Sequence, residues 1–232
     1  LEQLMAVGMA KAALMLDDDC GCANLVMAAA AASNGSRKSK LEAIDVSNLS
    51  SEEKVWHKML TATLTGDGDS WRSYLNAGLE ANPNSPLLNW FGTRGDYNNH
   101  AKFTQDFPEH ASAAYNMVAY GYANGEIGGK VDYAAAMQAI DKSRELHDGP
   151  NALDSKAEIA AMSGDFNTAL DNQFRAYDYA SFASPYQPKL VKYYRNVNKD
   201  EIVKNLQEAQ VAMQNAILER DKEEYEKYVT DE

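Results

Sequence analysis

Asp154 and Glu158 stand four residues apart, so a helical segment would carry both carboxylates on one face. Paired carboxylates divide acid and base roles only when burial or a neighbouring charge separates their proton affinities. Nothing in the sequence shows these two buried or paired, so a general acid/base role is not expected. His57, His100, His110 and His147 form no i, i+4 pair and no His-Glu-x-x-His motif, and read as surface or packing residues. Asp67-Gly68-Asp69 opens like a calcium loop, but the sixth place lacks glycine and Gly78 stands where the closing glutamate belongs. A turn is the sounder reading. Gly128-Gly129-Lys130 resembles the end of a phosphate loop, yet Val131 replaces the hydroxyl residue and Asn124 the first glycine. There is no Gly-x-Ser-x-Gly elbow. Cys20 and Cys22 flank one glycine and fall short of the four ligands of a structural zinc site. They are either a strained local disulfide or, the favoured reading, two small residues at a helix–helix turn. The expectation is a non-enzyme with no catalytic residue, no metal and no cofactor.

The composition narrows the class. A chain of 232 residues suits one elongated domain or two compact ones, and 45% hydrophobic residues is ordinary for a globular protein. Alanine stands out, with an unbroken run from Ala28 to Ala32; it has the best helix propensity and lets helices approach closely. The formal charge of -12 argues against nucleic acid, whose binding relies on Lys and Arg neutralising phosphates, and against anionic membrane surfaces. Acidity of this size reads first as a solvated surface and second as a preference for a basic partner. No run reaches the roughly 18 apolar residues of a membrane helix, so no membrane insertion is expected. Leu1 to Leu16 is apolar and helical in character but has no basic flank and no small-residue cleavage site.

The elements that must position these residues are helices. Asn34-Gly35, Gly66-Asp67, Gly95-Asp96, Gly128-Gly129 and Gly164-Asp165 each fit a helix C-cap or turn, and they recur 29 to 35 residues apart. Asp17 to Asp19, Asn82-Pro83-Asn84, Phe107-Pro108 and Gly149-Pro150 fall between them. Each unit therefore reads as a first helix, a glycine turn, a second helix and an Asp/Asn/Pro break. A period of this length built from paired helices implies a solenoid. Ser50 with Glu53 forms a capping box that opens one first helix. Period-2 apolar alternation is missing, so strands are not expected. Ser184 to Pro188 begins a short helix ending near Val197, and Asn198 opens a long one from about Lys199 to Tyr228. Its stripe of Ile202, Leu206, Ala209, Met213 and Ile217 is expected to cap the open end of the array.

These patterns resemble tetratricopeptide (TPR) repeats. Ala114 to Tyr122 looks like a TPR first helix, followed by Asp132-Tyr133 with Ala136, Ile140 and Ser143 at packing positions. Asp154 to Ala157, Gly164-Asp165-Phe166 and Ala169 form the next copy. Weaker copies lie at Gly66-Asp67, Leu75, Gly78 and Pro83, and at Gly95-Asp96-Tyr97, Ala101 and Pro108. Trp71, Lys156 and the turn lengthened by Glu126 to Lys130 depart from the pattern. The chain is similar to secreted or periplasmic TPR proteins of Bacteroidetes-type bacteria, which by resemblance alone favours that localisation.

The resemblance implies an all-α fold: an α-α superhelix, a TPR-like solenoid of antiparallel helix pairs over residues 1–183, with a long C-terminal capping helix within 184–232. It implies a protein- or peptide-binding scaffold whose concave face is made by first helices. Mapped residue by residue, that face carries Asn116, Tyr120 and Asn124, then Asp154, Glu158 and Met162, with Trp56 in the equivalent place earlier. Tyr120 and Asn116 are expected to be accessible there and to neighbour Asp154 and Glu158, while Tyr115 and Tyr122 pack between helices. In some similar proteins the array precedes a SnoaL-like (NTF2-like) domain, so the alternative is a module whose Ala212 to Glu232 opens such a domain. Homodimer formation through apolar solenoid ends, bearing Leu4, Met5, Met9 and Met15, is a further expectation.

Overall fold

The structure is a computed structural model. It describes residues 2–180 and 185–199 and, within 201–219, residues 201, 203, 204, 207, 208, 210, 211, 214, 215 and 217–219; side chains are described from residue 6. The described residues are overwhelmingly helical and contain no β-strand. The elements are α1 (Glu2–Leu16), α2 (Gly21–Ala29), α3 (Asn34–Glu42), α4 (Ser51–Thr65), α5 (Gly68–Ala81), α6 (Pro86–Gly92), α7 (Tyr97–Asp106), α8 (Ser112–Ala123), α9 (Tyr133–Leu146), α10 (Pro150–Met162), α11 (Phe166–Tyr179) and α12 (Tyr186–Val197), with short 3-10 turns at Val46–Asn48 and Pro108–His110.

Local chemistry sets the helix ends. Gly66 closes α4 in the left-handed conformation at φ 69°, and the next residue, Asp67, accepts from Ser70 N to open α5. The same Gly-Asp device recurs: Gly95 at φ 75° precedes Asp96, which caps α7, and Gly164 at φ 86° precedes Asp165, which caps α11. A glycine free to take positive φ ends one helix while a short carboxylate satisfies the first amides of the next. The capping box of Ser50 and Glu53 opens α4 as expected. One expected boundary differs. Asn34-Gly35 begins α3 rather than ending a helix, because Ser33 already accepts from Ser36 N as its N-cap. Asn198 follows the short helix that ends at Val197, as expected, with its amide bonded to Tyr194 O, and the described residues from Lys199 onward are again helical.

Consecutive helices pack on one another, and α2 with α4, α4 with α6 and α8 with α10 also touch. Directions follow from the contacts. Ser112, at the start of α8, donates to Ser143 O near the end of α9 (3.0 Å), and Asp132 N donates to Tyr122 O at their other ends (3.0 Å). These two helices are antiparallel. Lys156 of α10 pairs with Asp141 of α9 across a three-residue turn, which reverses the chain again. On α11, Ala176 clusters with Leu153 while Ala169 clusters with Ala157 and Ala160. On α12, Tyr186 joins the first cluster and Tyr193 the second. Thus α8, α10 and α12 run parallel to one another, with α9 and α11 antiparallel between them. Buried alanines at 114, 119, 123, 136, 157, 160, 169 and 176 let the helix axes come close.

Gly121 marks the tightest approach in this half: a Cβ there would lie 2.7 Å from Ile127 Cδ1 and 2.9 Å from Tyr97 Cβ. Ile127 belongs to the lengthened turn between α8 and α9, so that turn folds back as packing rather than standing out as a loop. Gly121→Ala should lower stability by about 1–3 kcal/mol through overpacking. Thermal unfolding followed by circular dichroism measures it, and an unchanged midpoint would mean that the turn is not seated there.

At the last described pair, Leu170, Phe174, Leu190, Val191 and Tyr194 line an open apolar groove of about 840 Å³ between α11 and α12. The expected capping stripe falls mostly on Ile202, Leu206, Ala209 and Met213, which lie outside the described residues, as do 220–232 and thus most of the segment read as the opening of a following domain. Ile217, the remaining member, is exposed. Leu4 and Met5 also lie outside the described side chains, whereas Met9 and Met15 are exposed. No helix among the described residues is long and apolar enough to cross a membrane.

Candidate functional site

Parallel α8 and α10 bring Tyr120 and Glu158 together: the Tyr120 hydroxyl donates to Glu158 Oε2 at 3.0 Å, with the Ser155 hydroxyl beside it. From the other side, Lys189 of α12 donates to the same Glu158 Oε2 at 3.2 Å and to Asp154 Oδ2 at 2.8 Å. One carboxylate of α10 therefore links three parallel helices. Tyr193, one turn after Lys189, is buried against the same stretch of α10.

Of the seven mapped residues, Asn116, Tyr120, Asp154 and Glu158 fall on these facing surfaces of α8 and α10, and Met162 lies one turn further along α10. Tyr120 and Asp154 are half-buried, and Glu158 remains 42% accessible. Asn116 corrects the expectation of accessibility: it is buried, because α7, α9 and α10 enclose α8 on all but a narrow side. Its Oδ1 has no hydrogen-bond partner among the described residues, and neither has Asp154 Oδ1. Asn124 and Trp56 lie elsewhere. Asn124 is the exposed C-cap residue of α8. Trp56 sits on α4, packed beside the Leu25 cluster with its ring 6.1 Å from that of Phe91. Tyr115 and Tyr122 pack between helices, as expected.

The residue that sequence reading missed is Lys189. Its partners lie 31 and 35 residues earlier, beyond any local spacing rule. Pro185 and Pro188 precede it in the sequence, but no local spacing pairs Lys189 with α10.

The electrostatics follow from burial and charge. Burial alone would pull the Lys189 ammonium down, but the hydrogen bond and charge of Asp154, joined by Glu158, hold it well above the ordinary lysine range. Burial, with the nearby Glu158 charge, pushes the Tyr120 phenol well above the ordinary tyrosine range, and burial raises Tyr193 as well. All three bind their protons more tightly folded than unfolded. Their contribution is complete below about pH 10 and is lost as pH climbs through the raised values. Urea unfolding at pH 9 and pH 11 should show a fall in stability that is smaller in Tyr120→Phe. An equal fall in the two proteins would place the alkaline sensitivity elsewhere.

His100 behaves in the opposite sense. It is buried with its ring 5.1 Å from Trp90, its Nδ1 has no hydrogen-bond partner among the described residues, and burial lowers its proton affinity against a weaker pull from Asp96. Its neutral form is favoured in the fold, so its contribution is present above pH 6.5 and erodes as pH falls below. His100→Phe should flatten the loss of stability between pH 7 and pH 5. An unaltered acid slope would contradict this assignment.

Cys20 and Cys22 are both free thiols, with Cys20 the N-cap residue of α2 and Cys22 raised by burial and then by Glu53. Among the described residues no group of three or more His, Cys, Asp or Glu is placed to hold a metal ion. The sequence matches no protein-family model, and no curated protein matches it significantly.

Proposed function

We propose that the chain is a non-catalytic, TPR-like scaffold that binds a protein or peptide segment along the face shared by α8, α10 and α12. The observation that carries this reading is the meeting of Tyr120, Glu158, Asp154 and Lys189 from three parallel helices on one side of the array. Residues far apart in sequence converge there, as a surface spanning several repeats requires. A rigid tyrosine and fixed carboxylates give contact area and orientation at small entropic cost. Met162 extends the same helix face one turn beyond Glu158 and is 39% accessible. The net charge of -12 favours a basic segment over an acidic one.

The test is capture from the cell that makes the protein, run in parallel with Tyr120→Ala and with an α9 surface control, Gln138→Ala. The expected result is a partner retained by the natural chain and the control and reduced at least tenfold by Tyr120→Ala. Retention unaffected by Tyr120→Ala would move the binding surface elsewhere. The alternative, 212–232 as the opening helix of a SnoaL-like domain, falls mostly outside the described residues.

A further inference from the structure

The polar atoms of the shared face do not balance. Asp154 and Glu158 bring two negative charges and Lys189 one positive, leaving one negative charge over. Lys189 engages only Oδ2 of Asp154; Oδ1 is buried without a donor. Asn116 Oδ1 is in the same condition, on a residue only 9% exposed. The two belong together by register. Tyr120 meets Glu158 across the parallel pair α8 and α10, and Asn116 and Asp154 lie one helical turn before them on the same faces, with the same offset of 38 residues. By this register two acceptors unpaired among the described residues and a surplus negative charge sit at one level, beside Lys189, which holds Asp154 and is itself 29% accessible. Buried acceptors without donors are costly and uncommon.

We propose that this site takes a primary ammonium group from the bound segment, a lysine side chain or an N-terminal amine, and that Lys189 is the internal occupant it displaces. Building on the reading of the α8–α10–α12 face as a binding surface, this names what the face recognises. An ammonium offers three donors and no acceptor, which suits a place where only acceptors remain. Lys189 reaches in from the outermost of the three helices and satisfies one side of Asp154. An incoming ammonium, free of that tether, can settle between Asp154 and Asn116 while Lys189 swings to solvent. No covalent bond is made or broken and the site keeps the same net charge; the gain is the donors supplied to Asp154 Oδ1 and Asn116 Oδ1.

The test uses the full chain and three probes: Nα-acetyl-lysine methylamide, glycinamide, and the neutral Nα,Nε-diacetyl-lysine methylamide. Side-chain amide and Tyr120 signals are followed by NMR during titration. The expected result is saturable shifts at Asn116 and Tyr120 with one or both amines, none with the neutral probe, and at least tenfold weaker binding in Asp154→Asn. Which amine binds more tightly distinguishes an internal lysine from a chain N-terminus. Lys189→Met should bind the amine several-fold more tightly, and Lys189→Gln serves if the methionine variant is poorly folded. Equal response to the neutral probe, no saturable shift in any variant, or full binding by Asp154→Asn would overturn the proposal. An Asn116 amide that closes directly on Asp154 gives the second of these outcomes. If a natural partner is captured in a Tyr120-dependent way but acetylating its amines leaves retention unchanged, the ammonium site falls and the scaffold stands. If no partner is captured, the scaffold itself falls.

Discussion

Leu153→Ala should lower stability by about 2–5 kcal/mol, near the upper end of that range, and the thermal midpoint by roughly 5–15 °C. Leu153 is fully buried where α10, α11 and α12 meet, in contact with the cluster of Ala176, Ala180 and Tyr186. Two of those neighbours are alanines, whose methyl groups have no rotamer that could move into the space. The cavity left by three missing carbons therefore stays open, and the cost includes both lost transfer energy and lost contacts. Tyr186 begins α12, so the same change loosens the seat of the helix that carries Lys189. Differential scanning calorimetry measures the effect. A loss under about 1 kcal/mol would show that α12 does not rest on α10 as described.

Lys189→Met should cost about 1–3 kcal/mol at neutral pH. Asp154 would lose its only described hydrogen-bond donor while its side chain stays 13% accessible. Breaking a fully buried pair costs more, but Lys189 at 29% and Glu158 at 42% keep partial contact with water, which screens the change. The double variant Lys189→Met/Asp154→Asn should recover part of the loss, because a neutral amide needs no counter-charge. Additive losses in that cycle, read from urea unfolding, would mean that the two side chains do not interact.

Much of the fold was legible because helix ends announce themselves locally. Gly66-Asp67, Gly95-Asp96 and Gly164-Asp165 mark where one helix stops and another starts, since positive φ and amide capping are properties of those residues themselves. Asn34-Gly35 misled because an N-cap three residues from Ser36 outweighs a turn-forming dipeptide, and the capping serine sits just before it.

The site was only half legible. Tyr120 and Glu158 follow from the repeat register, which aligns α8 with α10. Lys189 does not, because its role depends on a third helix lying parallel to α10, and no residue near it encodes that. The burial of Asn116 also escaped sequence reading: one side of α8 was placed in an open groove, whereas three neighbouring helices leave it little exposure.

The most direct measurement is site-specific photo-crosslinking to the captured partner, with the crosslinker placed at Met162 on α10 or at Gln138 on the exposed side of α9. Binding on the α8–α10–α12 face gives a strong adduct from position 162 and little from 138. Equal adducts from both positions, or an adduct from 138 alone, would contradict binding on that face.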